Sequence, residues 1–150
     1  MPIQIRKIEA RDEAAWRHLW DGYCTFYAAS LSPDVTTRTW RCILDPAASI
    51  HAIVATDEHD QAIGFANYVV HENTWELLPV CYLEDLFVDP AVRAQGAGRQ
   101  LIGWLVAGMQ SEGWSRLYWV TREDNQHARA LYDKFTPRDA FVRYVIKAEK

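Results

Sequence analysis

The residue pattern predicts an α/β fold. Three observations carry that prediction: stretches of alternating apolar and polar residues interleave with stretches of helical period, the run Val80 to Val88 is almost wholly apolar, and a glycine-containing loop leads from that run into an amphipathic helix. A strand apolar on both sides is one covered on both sides, so Val80 to Val88 is expected at the centre of a sheet. Glu84 and Asp85 interrupt it, and two carboxylates inside such a strand demand an explanation.

The remaining elements follow in order. Ile3, Ile5 and Ile8 alternate with Gln4 and Arg6 as a first strand. Asp12 is placed to cap a helix from Glu13 to about Ala29, where Trp16, Leu19, Trp20, Tyr23, Phe26 and Tyr27 recur every three or four residues. Trp16, Leu19 and Phe26 are assigned to the core; Tyr23 and Tyr27, one turn apart, are read either as buried structural tyrosines or as the lining of an amine pocket. Ser32-Pro33-Asp34 begins a second helix that Asp45-Pro46 ends. Ile50 to Thr56 and Ala62 to Val70 flank a polar turn and form a hairpin in which His59 is solvated, and His71 to Pro79 is a loop or a short helical turn. A long helix from Ala97 to about Glu112 presents Leu101, Ile102, Leu105, Val106 and Met109, and Gly113 stops it. Leu117 to Thr121 is a strand, Asn125 caps a helix running to Lys134, and Phe141 to Lys147 alternates as a last strand.

Length and charge narrow the function classes. The 150 residues suit a single domain spanning 1–150. A net charge of −4 with a pI near 5.7 opposes nucleic acid or anionic membrane as partner and mildly favours a cationic substrate. No apolar run approaches the roughly 18 residues of a membrane span. Met1-Pro2-Ile3 opens no signal-peptide pattern, so a cytoplasmic location is expected. Cys24, Cys42 and Cys81 are odd in number and lack ligand spacing, which predicts three free thiols in buried positions and no metal site.

The loop after Val88 aims unpaired N–H groups at one point and is read as a pyrophosphate site, with Arg93 adding charge and Gly96 and Gly98 clearing the approach to the backbone. A P-loop is excluded because Arg99 and Gln100 follow Gly98, and a dinucleotide fingerprint because Leu101 stands where a third glycine belongs. What remains, Arg93-x-x-Gly96-x-Gly98 after Leu83-Glu84-Asp85-Leu86-Phe87-Val88, resembles the acetyl-CoA loop of the GCN5-related N-acetyltransferases (GNAT). Asn125-x-x-Ala128-x-x-Leu131-Tyr132-x-x-Phe135 matches the family's second motif, and the pattern is most similar to Hpa2-like and diamine acetyltransferase-like members. In one departure, Phe135-Thr136-Pro137-Arg138 replaces the family's usual Leu-Gly-Phe turn, which leaves the C-terminal geometry open.

The resemblance implies a mixed sheet of six to seven strands splayed after the fourth, with helices on both faces. It also implies an acetyl-CoA-dependent N-acetyltransferase acting by direct transfer to a primary amine, whether polyamine, small amine or protein lysine. Acetyl-CoA, the cosubstrate, would lie along Leu86, Phe87 and Val88, with its diphosphate on Arg93, Ala94, Gln95, Gly96, Ala97, Gly98 and Arg99, and would also meet Asn125 and Ala128. A main-chain N–H near Phe87 would face the developing oxyanion, and Tyr132 is similar to the family's general acid.

An alkylammonium of pKa ~10.4 is only about one part in 10³ free amine at neutral pH, so a base is needed, and Glu84, through water, is the candidate. Tyr23, Tyr27, Glu84 and Asp85 are the candidate substrate-binding residues, while Asp85 reads equally as a buried structural acceptor. A non-catalytic acyl-CoA-binding regulatory module is the competing reading. The exposed edge expected of the last strand, and the pairing seen in some members of the resembled group, predict a homodimer through Phe141, Tyr144 and Ile146.

Overall fold

A computed structural model describes residues 2–149. Five strands form one sheet in the order β1 (Gln4–Lys7), β2 (Ile50–Thr56), β3 (Ala62–His71), β4 (Val80–Val88) and β5 (Leu117–Tyr118). Every pairing is antiparallel except that of β4 with β5. Helices α1 (Glu13–Phe26) and α2 (Pro33–Leu44) cover one face, and α3 (Ala97–Glu112) covers the other. These elements make one compact unit, up to Val120; the residues from Thr121 onward form a second, which holds α4 (Gln126–Tyr132).

Alternation along the strands assigns the faces. Phe65 and Phe87 are directly paired and join Trp16, Leu19, Trp20, Trp40 and Ile43 in the core under α1 and α2. Tyr68, on the opposite face, packs against Trp104 and Trp114 at the α3 side. A Cβ on Gly22 would stand 3.1 Å from the Phe87 ring, so the absence of a side chain there lets α1 lie close on β4.

Most predicted boundaries hold, and the exceptions have local causes. Helix α1 stops at Phe26 rather than Ala29, where Ala28 takes a φ of 52°. Phe26 is 57% exposed, not core, because it lies beyond the last buried turn and packs its ring on Tyr27 and Arg93. Asp12 does not cap α1 with its side chain, since Arg6 and the Glu9 N–H claim both its oxygens. Val106 is exposed, and the buried stripe of α3 runs through Leu101, Ile102, Leu105 and Gly108 instead. Of the three free thiols only Cys81 is fully buried.

The mixed sheet with helices on both faces is as expected, but among the described residues it has five strands where six to seven were expected. Strand β5 is two residues long, and Phe141 to Lys147 is not a strand among the described residues: Phe141, Tyr144 and Ile146 are 86%, 91% and 98% exposed. Alternation marks a segment able to pair, but a ladder also needs a partner edge.

Candidate active site

The site is organised by an irregularity in β4. Asn67 pairs with Asp85, yet the next residue, Tyr68, pairs with Leu83, so Glu84 is an extra residue bulged out of the ladder. Without it Leu83 and Asp85 would share a face. With it, Leu83 lies with Tyr68 on the α3 side while Asp85 turns to the α1 side with Phe87. This is the explanation the two carboxylates required: the bulge delivers Asp85 to α1 and leaves Glu84 exposed beside it, in the field of Arg38 from α2.

Asp85 is half-buried and sits at the end of a hydrogen-bonded chain. Trp16 Nε1 donates to Asn67 Oδ1 at 3.3 Å, Asn67 Nδ2 donates to Asp85 Oδ2 at 3.0 Å, and the Tyr23 hydroxyl donates to the same carboxylate. Burial pushes the Asp85 carboxyl above the usual carboxylate range, although the bonds from Asn67 and Tyr23 pull it back in part. Loss of water and the neighbouring Asp85 charge raise Glu84 likewise, against the pull of Arg38. Burial, then the Asp85 charge, holds Tyr23 firmly protonated. Tyr27 packs on Tyr23 at 4.8 Å between ring centroids, and Phe87 meets it edge-on at 6.1 Å, so the carboxylate opens beside a wall of rings.

The same strand has a free edge. Pairing with β5 covers only Cys81 and Tyr82, and the ladder ends ahead of the bulge that bends β4. Asp89 N–H donates to Ile63 O at 2.8 Å, so by alternation Phe87 is bonded to β3, while Leu86 and Val88 turn their backbone groups to the open side. Arg93 Nε reaches Val88 O there at 3.4 Å, with its guanidinium over the rings of Phe26 and Phe87.

Beyond Arg93, Ala94 (φ 67°) and Gly96 (φ 88°) fold the chain into the first turn of α3, whose N–H groups no side chain caps. A Cβ built on Gly96 meets nothing within 4 Å, so the space in front of the loop is clear. Ala94, Gln95, Ala97, Gly98 and Arg99 frame it. A backbone cradle with an open face and the positive end of a 16-residue helix fits a diphosphate, so the residues present suit acetyl-CoA.

The first unit thus gathers Tyr23, Tyr27, Glu84, Asp85, Phe87 and Arg93 in one neighbourhood. Asn125, Ala128 and Tyr132 belong to the second unit, where Asn125 Oδ1 caps α4 through Ala128 N–H and Tyr132 ends the helix. Asn67 and Trp16 were missed as site residues. The signal for Asn67 was available, since it is the one polar amide in the apolar run of β3.

An open strand edge beside an uncapped helix start is suited to an acyltransferase that takes a CoA thioester. The chain belongs to the Acetyltransferase (GNAT) family, whose model matches residues 13–136. It is an N-acetyltransferase, and acetyl-CoA is its cosubstrate. It is 36% identical over 143 residues to the D-amino-acid N-acetyltransferase HPA3 of Saccharomyces cerevisiae, covering 95% of this chain and 89% of that one. A ribosomal-protein-alanine N-acetyltransferase from Brucella melitensis superposes with a TM-score of 0.82 at 19% identity, covering 98% of this chain and 100% of that one. An aminoglycoside N-acetyltransferase solved with CoA gives 0.78 at 22% identity, covering 99% and 95%. No described helix is long and apolar enough to cross a membrane.

Proposed function

We propose that the enzyme transfers the acetyl group of acetyl-CoA directly to the primary amine of a small molecule. The observation that carries this reading is that one strand, β4, bears both the carboxylate pair Glu84 and Asp85 and the unpaired edge at Leu86 and Val88. Amine and thioester then meet across a single segment of backbone. Acetyl-CoA supplies an acetyl thioester. Backbone groups of Leu86 and Val88 hold its arm, an N–H beside Phe87 faces the charge that develops on the carbonyl oxygen, and Arg93 to Arg99 hold the diphosphate. Asn125 and Ala128 carry the family's second motif and are proposed as cofactor-binding residues on that resemblance. Glu84 takes the amine's surplus proton through water; its raised carboxyl makes it a better base than a free glutamate. Tyr132 holds the phenolic proton that the leaving sulfur requires.

The similarity to a D-amino-acid acetyltransferase over nearly the whole chain supports a small acceptor over a protein lysine. The same reading treats residues 1–150 as one catalytic domain, places it in the cytoplasm, where free thiols persist, and pairs two copies through the exposed apolar tail at Phe141, Tyr144 and Ile146. Light scattering separates a mass near 17.3 kDa from twice that value.

The deciding experiment is release of CoA thiol from acetyl-CoA in the presence of D- and L-amino acids, aryl-alkylamines, polyamines, aminoglycosides and lysine peptides. Turnover with a small amine is expected; turnover confined to lysine peptides overturns the small-acceptor reading. Acetyl-CoA also raises the melting temperature, and Gly96→Val abolishes the shift, because a side chain at φ 88° is strained and fills the space the diphosphate needs.

A further inference from the structure

Asp85 differs from an ordinary buried carboxylate in what balances its charge. Its donors, Asn67 and Tyr23, are both neutral, and among the described residues it has no ion pair. The titratable groups around it add no cation of their own. From α1 come the Tyr23 hydroxyl and the Cys24 thiol, with Tyr27 beyond Tyr23; from β4 comes Glu84; β3 contributes only the amide of Asn67; and Arg38 of α2 acts on Glu84. A carboxylate has about four acceptor directions, and two are filled here. The site is short of one positive charge and has directions left to accept it.

The amide that serves Asp85 is itself fixed. An indole N–H can only donate, so Trp16 compels Asn67 to present its oxygen to the indole and therefore its NH₂ to Asp85. The reversed amide would set a carbonyl against a carboxylate and waste the indole donor. Trp16 is fully buried and stacked on Trp20 at 5.4 Å, and Asn67 is 1% exposed, so the whole chain of donors is anchored in the core. An arginine would have satisfied Asp85 more strongly, but it would also have competed with any incoming cation.

Resting on the reading that the acceptor is a small primary amine, we infer that Asn67, oriented by Trp16, is a positioning residue that holds Asp85 as the carboxylate receiving one substrate ammonium, the rest of the substrate being aromatic or apolar. The ring wall supplies the second half of that specificity. Tyr23, Tyr27, Phe26 and Phe87 lie in a continuous series of ring contacts, and Phe26 and Tyr27 are exposed. Rings favour an apolar body and tolerate a cation beside them. A second ammonium meets the Arg38 guanidinium near Glu84 and otherwise only the ring wall, so polyamines and aminoglycosides fit poorly.

The test follows the Asp85 side-chain carboxyl by ¹³C NMR in the CoA-bound full chain, titrated with 2-phenylethylammonium or with spermidine. The expected result is a saturable shift with 2-phenylethylammonium and binding of spermidine weaker by about tenfold or more. Asn67→Leu is expected to weaken the aryl-alkylamine by about tenfold, and Trp16→Phe, which keeps an aromatic side chain but loses the indole donor and part of its volume, by a few-fold. Both variants should keep the wild-type melting shift with acetyl-CoA, and Asn67→Leu combined with Asp85→Asn should cost no more than Asp85→Asn alone. An Asp85 signal unmoved by 2-phenylethylammonium, tighter binding of spermidine, or unchanged affinity in Trp16→Phe overturns the inference. If Asp85 binds the ammonium but no small amine releases CoA thiol, the inference stands and the small-amine acceptor reading falls.

Discussion

Asp12 and Asp85 are two enclosed aspartates on the same unit, and the protein treats them in opposite ways. Asp12 accepts both arms of the Arg6 guanidinium, at 2.8 and 2.9 Å, and the Glu9 N–H as well. Burial alone would raise its carboxyl, but the bonds from Arg6 and the Glu9 N–H and the Arg6 charge outweigh it and hold the group below the usual range. Arg6 also reaches Asp60, which pairs with Arg11, so the tip of the β2–β3 hairpin is tied to β1. Asp85 has only neutral donors, and its carboxyl is raised. A charge balanced within the chain holds the fold together. A charge left for a ligand to balance costs stability in the free protein and marks a site.

Breaking Asp12 gives the largest expected effect. Asp12→Ala strands the Arg6 guanidinium and should destabilise the protein by about 3 kcal/mol, roughly a 10 °C fall in melting temperature, with turnover at room temperature unchanged. Thermal melts paired with a thiol-release assay check both halves. Because the Asp12 carboxyl is lowered in the folded state, its contribution is present above the unfolded carboxylate pKa of about 3.9 and is lost as pH falls through the folded value.

Glu84→Gln should leave stability intact and lower turnover by about a hundredfold near neutral pH, with partial recovery at high pH where more amine is already neutral. A loss independent of pH would return Glu84 to a structural role. Tyr132→Phe keeps the ring and removes the proton. It should lower turnover by about tenfold with acetyl-CoA affinity nearly unchanged, and wild-type turnover would remove Tyr132 from the reaction.

The smallest expected effect is the most diagnostic. A raised carboxyl opposes folding once it ionises, so the Asp85 penalty is absent below the unfolded pKa of about 3.9 and grows as pH rises toward the folded value. Asp85→Asn should therefore match or exceed wild-type stability at neutral pH, by up to about 1 kcal/mol, where Asp12→Ala falls. A clear loss of stability on Asp85→Asn would erase the contrast between the two residues.

Local chemistry made much of this legible in the sequence. The β2–β3 hairpin, the bounds of α2 and α3, and the glycine loop follow from periodicity, Pro33, Gly113 and the spacing of Gly96 and Gly98. What escaped depends on pairing across the sheet. The bulge that turns Asp85 toward α1 exists only in the register of β4 against β3, and no pattern within Val80–Val88 announces it. Asn67 and Trp16 became visible as a pair only once β3 and α1 were packed, although a lone amide in an apolar run deserved suspicion. The tail failed for the same reason from the other side: its alternation is real, but β5 spans just Leu117–Tyr118, and no ladder follows in the described chain.

The opposition of the two aspartates can be measured in one sample. A ¹³C titration of the side-chain carboxyls in the free protein should show Asp12 ionising below, and Asp85 above, the ordinary aspartate value of about 3.9. Finding Asp85 at or below that value would mean that its charge is already balanced inside the chain, and the assignment of Asp85 to the substrate would be wrong.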